Sequence, residues 1–226
     1  MTKQTDSNNS QNTTSQAGQP DHLTPWNKVV WEYAQAIIIA LLLAMVIRTF
    51  VIQAFKIPSG SMLQTLQIGD HIFVNKFIYG IKNPFTKTTW IEGSSPKAGD
   101  VIVFIYPEDK SKDFIKRVIA VAGDKVEIKN KEVFVNGKRF IDPESGQHID
   151  PRIIPKGISP RDNYGPVTVP ENNLFVMGDN RDHSHDSRFW GFVPVQEVKG
   201  KAVIIYWSWD SDRFMPRFGR IGQLIK

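Results

Sequence analysis

The stretch Ala34-Gln-Ala-Ile-Ile-Ile-Ala-Leu-Leu-Leu-Ala-Met-Val-Ile-Arg-Thr-Phe-Val-Ile-Gln-Ala-Phe55, followed at once by Lys56-Ile-Pro-Ser-Gly-Ser-Met62, divides the chain. It is the only long apolar run in the sequence, and Arg48 is its single charge. Carried as helix to Phe55 at 1.5 Å per residue, it reaches roughly 33 Å, enough for the hydrocarbon core of a bilayer. Arg48 lies near one end, where its long side chain can snorkel to the interface. A buried core helix is the alternative. A cleaved signal peptide fits less well, because the lead before the run is long and no small-x-small site follows it. The reading is an uncleaved membrane anchor over residues 27–55. Charge leaves its orientation open, since Lys28 and Glu32 flank one end and Arg48 and Lys56 the other.

Outward from the anchor, residues 1–26 are polar, rich in Ser, Thr, Asn and Gln, and read as a disordered tail. The whole chain has 226 residues, room for one sizeable domain with at most a small appended lobe. A net charge of +5 without a polybasic block argues against a nucleic-acid partner and is compatible with a position beside anionic lipid. The absence of cysteine excludes disulfides, thiol catalysis and thiolate metal sites.

After the anchor the pattern becomes β. Runs rich in β-branched and aromatic residues, bounded by Gly, Asp and Pro, predict strands over 70–80, 100–106, 114–121, 174–177 and 200–209. Residues 125–137 alternate and predict a hairpin turning at Lys129–Lys131. Residues 81–99 fit either a loop or an extended hairpin. Residues 138–170 hold six prolines and little periodicity, so 125–172 is expected to form a smaller, loop-rich β lobe inserted in a β-rich domain spanning 56–226. The fold class is mostly β behind a single N-terminal transmembrane helix.

Three groups carry chemistry. Ser61 stands in a Pro-Ser-Gly-Ser turn, where a serine can project its oxygen while its own N–H stays free for an oxyanion. On a strand over 114–121, alternation puts Phe114, Lys116 and Val118 on one face and Ile115, Arg117 and Ile119 on the other. One basic side chain must then share a face with apolar neighbours. The bland reading is an edge strand with two solvated charges. The functional one is a buried lysine whose pKa falls toward neutrality and whose amine deprotonates Ser61. In the polar loop 176–194, Asp186 and Arg188 can pair, and Ser184 can orient an amine. That loop also reads as a surface loop or as a metal site from His183, His185, Asp179, Asp182 and Asp186.

Taken together, Ile57-Pro-Ser-Gly-Ser-Met62 with Gly69-Asp70, Ala98-Gly-Asp-Val-Ile-Val-Phe104, Ile115-Lys-Arg-Val118 with Gly123-Asp124, and Gly178-Asp-Asn-Arg-Asp-x-Ser-x-Asp-Ser-Arg188 resemble the signature blocks of bacterial type I signal peptidase. The match runs in order over residues 30–226. The resemblance implies a membrane-bound serine endopeptidase that removes signal peptides from exported preproteins, cleaving after small residues of the Ala-x-Ala type. It implies Ser61 as nucleophile and Lys116 as general base, with Ser184 orienting the lysine and Ser59 joining the Ser61 N–H in the oxyanion hole. Asp186 and Arg188 form the structural ion pair, and Phe55, Ile57, Met62, Leu66, Phe114 and Ile115 line the substrate pockets. No metal or other cofactor is expected. The N-terminus is placed in the cytoplasm and the catalytic domain on the outer face of the inner membrane. Gln64 departs from the pattern, since the family often has proline there. A self-cleaving repressor-type Ser–Lys protease would need a DNA-binding module in place of the anchor, and an inactive β module would have no use for Ser61 and Lys116 together.

Overall fold

The computed structural model describes residues 26–82, 89–141 and 146–226. The expected polar tail lies outside the described residues up to residue 25. Trp26 instead opens a helix, α1 (Trp26–Phe50), of 25 residues, roughly 37 Å long at 1.5 Å per residue. Its apolar side chains are open, with Ile39 65% and Leu41 63% exposed. This helix is long and apolar enough to cross a membrane.

The apolar run does not continue as helix to Phe55. The Val51 N–H still reaches Ile47 O (2.9 Å), but the next residues form a strand, β1 (Ile52–Lys56). It pairs antiparallel with β2 (Asp70–Asn75), placing Phe55 opposite Ile72 and Lys56 opposite His71. β-Branched Ile52 suits the pleat, and the β2 edge offers ladder bonds that replace the helical ones. The run 70–80 is also shorter than expected as a strand, because Phe77–Tyr79 curls into a 3₁₀ turn.

The remaining strands are β3 (Ile81–Lys82), β4 (Thr89–Ile91), β5 (Val101–Ile105), β6 (Asp113–Val121), β7 (Lys125–Lys129), β8 (Glu132–Val135), β9 (Lys138–Arg139), β10 (Tyr164–Thr168), β11 (Asn173–Met177), β12 (Val193–Pro194), β13 (Val198–Asp210) and β14 (Met215–Pro216). A one-turn helix, α2 (Ser187–Trp190), follows β11. The main sheet runs β1-β2-β13-β5-β6-β11-β12, with β14 on β13. β6 is therefore an interior strand, and of the two readings of its basic pair the edge strand with solvated charges is the one that does not form. Both Lys116 and Arg117 are buried, each 3% exposed. Within 81–99, β3 and β4 make a short hairpin whose tip lies outside the described residues.

A second sheet, β10-β7-β8-β9, falls within residues 125–172 and enters the chain between β6 and β11. Its two hairpin turns place Asn130 and Lys131 at φ 47° and 75°, and Asn136 and Gly137 at 52° and 74°. These positive values match the twist of the flanking strands, and asparagine and glycine tolerate them best.

The core has three parts. Ile57, Met62, Leu66, Ile72, Val74, Val101, Val103 and Ile205 pack on one face of the main sheet. Ile102, Phe104, Val118, Leu174 and Val176 pack on the other. Ile119, Phe175 and Met177 join the main sheet to Val126, Ile128 and Val133 of the second. Each such side chain contributes roughly 1.5–3 kcal/mol by leaving water. Met62 and Leu66 thus plug the turn carrying Ser61 into the first cluster.

Candidate active site

Ser61 stands in a closed loop between β1 and β2. Its base is pinned by the Ile57 N–H to Asp70 O (2.8 Å) and the Gly69 N–H to Ile57 O (3.0 Å). The buried Asp70 carboxylate accepts from Gln67 N (2.8 Å), Ser208 Oγ (2.7 Å) and Arg220 (2.6 Å). Burial alone would raise its pKa, but Arg220 and these donors hold it below the usual carboxylate range. At the tip, a Cβ on Gly60 would lie 3.0 Å from Leu63 Cδ1. The left-handed residue is Gln64, at φ 83°, a conformation closed to proline, whose ring fixes φ near −65°.

Lys116 reaches Ser61 from β6. Its Nζ is 2.7 Å from Ser61 Oγ and 3.1 Å from Ile115 O. Burial pushes the Lys116 amine down to about 8, against the upward pull of the Asp186 and Asp179 carboxylates, with Arg188 lowering it further. At that value about one amine in ten is neutral at pH 7, against about one in three thousand for an ordinary lysine. The Phe114 ring lies 5.3 Å from Nζ and stacks on Tyr106 with centroids 4.2 Å apart.

The loop after β11 closes the site from behind. Gly178 lets it approach, since a Cβ there would sit 2.4 Å from Ser61 O and 2.2 Å from Ser184 Oγ. Asp179 is held by Arg117 through Nε (2.9 Å) and Nη2 (2.8 Å), and accepts from Thr65 Oγ1 (2.6 Å). Asn180 donates its N–H to Ser61 O (3.1 Å) and its Nδ2 to Gly60 O (3.0 Å). Asp182 accepts from Lys131 (2.6 Å) and from the N–H groups of Ile149 (2.7 Å) and Asp150 (2.8 Å), tying the loop to the second sheet. Asp186 pairs with Arg188 at 2.8 Å through both Nε and Nη2, and also takes the Gly178 N–H (3.0 Å). Burial alone would raise the Asp186 pKa, but the charge and bonds of Arg188 and the Gly178 N–H hold it down.

The expected residues do not all converge. Ser61 and Lys116 meet, and Asp186 meets Arg188. Ser184 is buried beside Asp186, whose carboxyl its hydroxyl helps to hold down, and among the described residues it makes no bond to Lys116. Ser59 is exposed on the turn. Ile57, Met62 and Leu66 belong to the core, with Phe55 and Ile115 partly buried against it, whereas Phe114 packs against the cluster of Ile102 and Phe104 while keeping its ring near Lys116 Nζ. The carboxylates proposed as metal ligands are separately engaged by Arg117, Lys131 and Arg188. His183 and His185 are exposed, and His185 stacks on Phe189. Among the described residues no group of three such side chains converges.

Residue-by-residue reading missed four contributors: the Arg117–Asp179 pair, Thr65, Asn180 and the Lys131–Asp182 tie. The available signal was two adjacent basic residues inside an apolar strand, facing a loop with three aspartates.

Comparison with known proteins bears on this arrangement. Residues 30–207 match the family described as "Signal peptidase, peptidase S26". This chain belongs to the signal peptidase family. It is 36% identical to signal peptidase I of Pseudomonas fluorescens, over 86% of this chain and 79% of that one. It is 35% identical to signal peptidase I of Pseudomonas aeruginosa, over 84% and 78%. A probable signal peptidase I-2 of Synechocystis is 37% identical, over 83% and 75%. A crystal structure of a signal peptidase I from Enterococcus faecalis aligns with 48% of this chain and 97% of its own, at 28% identity and a TM-score of 0.35. As a member of the signal peptidase family the chain is a serine peptidase, so the site must supply an activated serine.

Proposed function

We propose that this protein is a membrane-anchored endopeptidase that removes signal peptides from exported preproteins, with Ser61 as nucleophile and Lys116 as general base. The single observation carrying this reading is the buried Lys116 amine 2.7 Å from Ser61 Oγ. Neutral Lys116 accepts the Ser61 proton as the oxygen attacks the scissile carbonyl. The tetrahedral oxyanion is received by the Ser61 N–H and the Ser59 hydroxyl. The ammonium then protonates the leaving amine, which departs with the mature protein. The acyl-enzyme that remains is hydrolysed by a water that the same amine deprotonates.

Small residues before the cleaved bond suit shallow pockets edged by Phe55, Ile57 and Ile115, because a larger side chain would clash with their floor. Met62, Leu66 and Phe114 complete the proposed lining from within. Ser184 is assigned to orient the amine, its hydroxyl being buried beside Asp186, whose charge also acts on Lys116. With α1 as anchor, the N-terminus lies in the cytoplasm and the catalytic domain on the outer face of the inner membrane. There the end of an exported signal peptide emerges, and membrane attachment raises the effective concentration of both partners.

Purified full-length protein in mild detergent, incubated with a preprotein, tests this. Wild type is expected to release the mature form, and Ser61→Ala and Lys116→Arg are expected to release none. Arginine keeps the charge but stays protonated at any working pH. Wild-type cleavage by either variant would remove the dyad.

A further inference from the structure

Asn180 grips the nucleophile's backbone on both sides. Its N–H donates to Ser61 O at 3.1 Å and its Nδ2 donates to Gly60 O at 3.0 Å. The second bond acts on the peptide unit that contains the Ser61 N–H. In a planar trans peptide the C=O and N–H point in opposite directions. Holding Gly60 O toward Asn180 therefore fixes the Ser61 N–H on the other side. Among the described residues that N–H donates to nothing.

Asn180 is itself immobilised. It is 3% exposed, and Arg181 N–H to Gln147 O (2.9 Å) with Gln147 N–H to Asp179 O (2.8 Å) pins the backbone on both sides of it. The neighbouring Asp179 is clamped by Arg117 and Thr65. Only the amide orientation that presents Nδ2 to Gly60 O makes this bond, because the reverse sets two oxygens against each other. The other support of Gly60 O is the Leu63 N–H at 3.2 Å, from within the same turn. Without Asn180 the Gly60–Ser61 peptide is held only by the segment it has to orient.

We infer that Asn180 is a positioning residue that locks the Gly60–Ser61 peptide plane and so aims the Ser61 N–H at the oxyanion of the tetrahedral intermediate. The inference rests on Ser61 being the nucleophile. A donor aimed in advance costs no reorganisation at the moment of reaction, whereas one that rotates contributes only part of the time. Outright loss of an oxyanion donor lowers kcat by about 10²–10³-fold. Loosening one still tethered by Leu63 should lower it by roughly ten- to a hundred-fold.

The test compares wild type, Asn180→Ala, Asn180→Asp, Ser61→Ala and Lys116→Arg as full-length protein in detergent. The readouts are kcat, KM, the pH profile of cleavage, and binding of a peptide aldehyde ending in alanine, which forms a tetrahedral adduct on a serine. Both Asn180 variants should lose kcat with KM within about twofold of wild type, and should bind the aldehyde more weakly in proportion to the kcat loss. In Asn180→Ala the alkaline rise of activity should stay where it is in wild type. Asn180→Asp, though nearer in size, should be the slower of the two, because a carboxylate oxygen faces Gly60 O. A space-filling role predicts the opposite order, with aspartate near wild type, and that order would overturn the proposal. Should Asn180→Ala fail to fold, Asn180→Asp decides alone by the same comparison. Full activity in Ser61→Ala removes the underlying reading whatever Asn180 does. Inactive Ser61→Ala beside wild-type kcat in the Asn180 variants removes only this inference.

Discussion

Replacing Arg117 by methionine removes one half of an ion pair whose side chains are only 4% and 0% exposed. The guanidinium makes Nε and Nη2 bonds to Asp179 at 2.9 and 2.8 Å, and its Nη1 bonds Gly99 O (2.7 Å) and Lys226 O (2.8 Å). In Arg117→Met, Asp179 keeps the Thr65 hydroxyl, but its charge is left buried without a cation. Breaking a buried pair on one side costs about 3–5 kcal/mol, a large part of the roughly 5–15 kcal/mol that holds a domain folded. For a domain of this size that corresponds to a fall in Tm of about 6–20 °C. Arg117→Met/Asp179→Leu removes both charges and should recover most of the loss. Its cleavage rate should stay low, since Thr65 then has no carboxylate to hold the Ser61 turn. The assay is urea unfolding of full-length protein in detergent, followed by tryptophan fluorescence, beside preprotein cleavage. A single-mutant loss under about 1 kcal/mol, or a double mutant no more stable than the single, would refute the reasoning.

Other outcomes follow from the same structure. Chelators should leave cleavage unchanged and His183→Ala and His185→Ala should retain most of it, because the nearby carboxylates are held by cations; abolition by EDTA with rescue by zinc would contradict this. Burial alone would raise the Asp182 pKa, but Lys131, the Asp150 N–H and His148 hold it well below the carboxylate range. Its stabilising contribution is therefore present above the unfolded value near 3.9 and lost as pH falls below it; Asp182→Asn should flatten the acid side of a Tm–pH curve, and an unchanged acid limb would count against the tie. Phe214 and Phe218 are 82% and 71% exposed, and such apolar rings leave water by dipping into the boundary between headgroups and acyl chains; Phe214→Ser/Phe218→Ser should reduce the quenching of Trp207 by brominated lipid, read as the difference from Trp207→Phe, and equal quenching would oppose contact.

Strand alternation carried much of the fold, because a half-buried strand writes its period of two into the sequence. The β7–β8 hairpin shows this, with Asn130 and Lys131 at the turn. The end of α1 was not legible. Ile52 to Phe55 continues the apolar run of the helix before it, and only pairing with β2 marks it as a strand. Lys116 and Arg117 were legible as basic residues among apolar ones, yet both are buried because β6 is interior, a fact of strand order and not of local pattern. Ser61 with Lys116 and Asp186 with Arg188 were readable through resemblance. The supports around Ser61 depend on contacts between segments distant in sequence, such as Thr65 with Asp179 and Asn180 with Gly60, which no periodicity records.

Activation of Ser61 by a neutral Lys116 is read from the pH dependence of kcat/KM for preprotein cleavage, which reports the free enzyme's essential base. Burial holds the Lys116 amine at about 8, so wild type should show a single rising limb with its midpoint near that value, and Lys116→Arg none. A limb at about 10 or above would mean an unperturbed lysine, and one near 6.5 that disappears in a histidine variant would assign the base elsewhere. Either result would mean that a neutral Lys116 is not what activates Ser61.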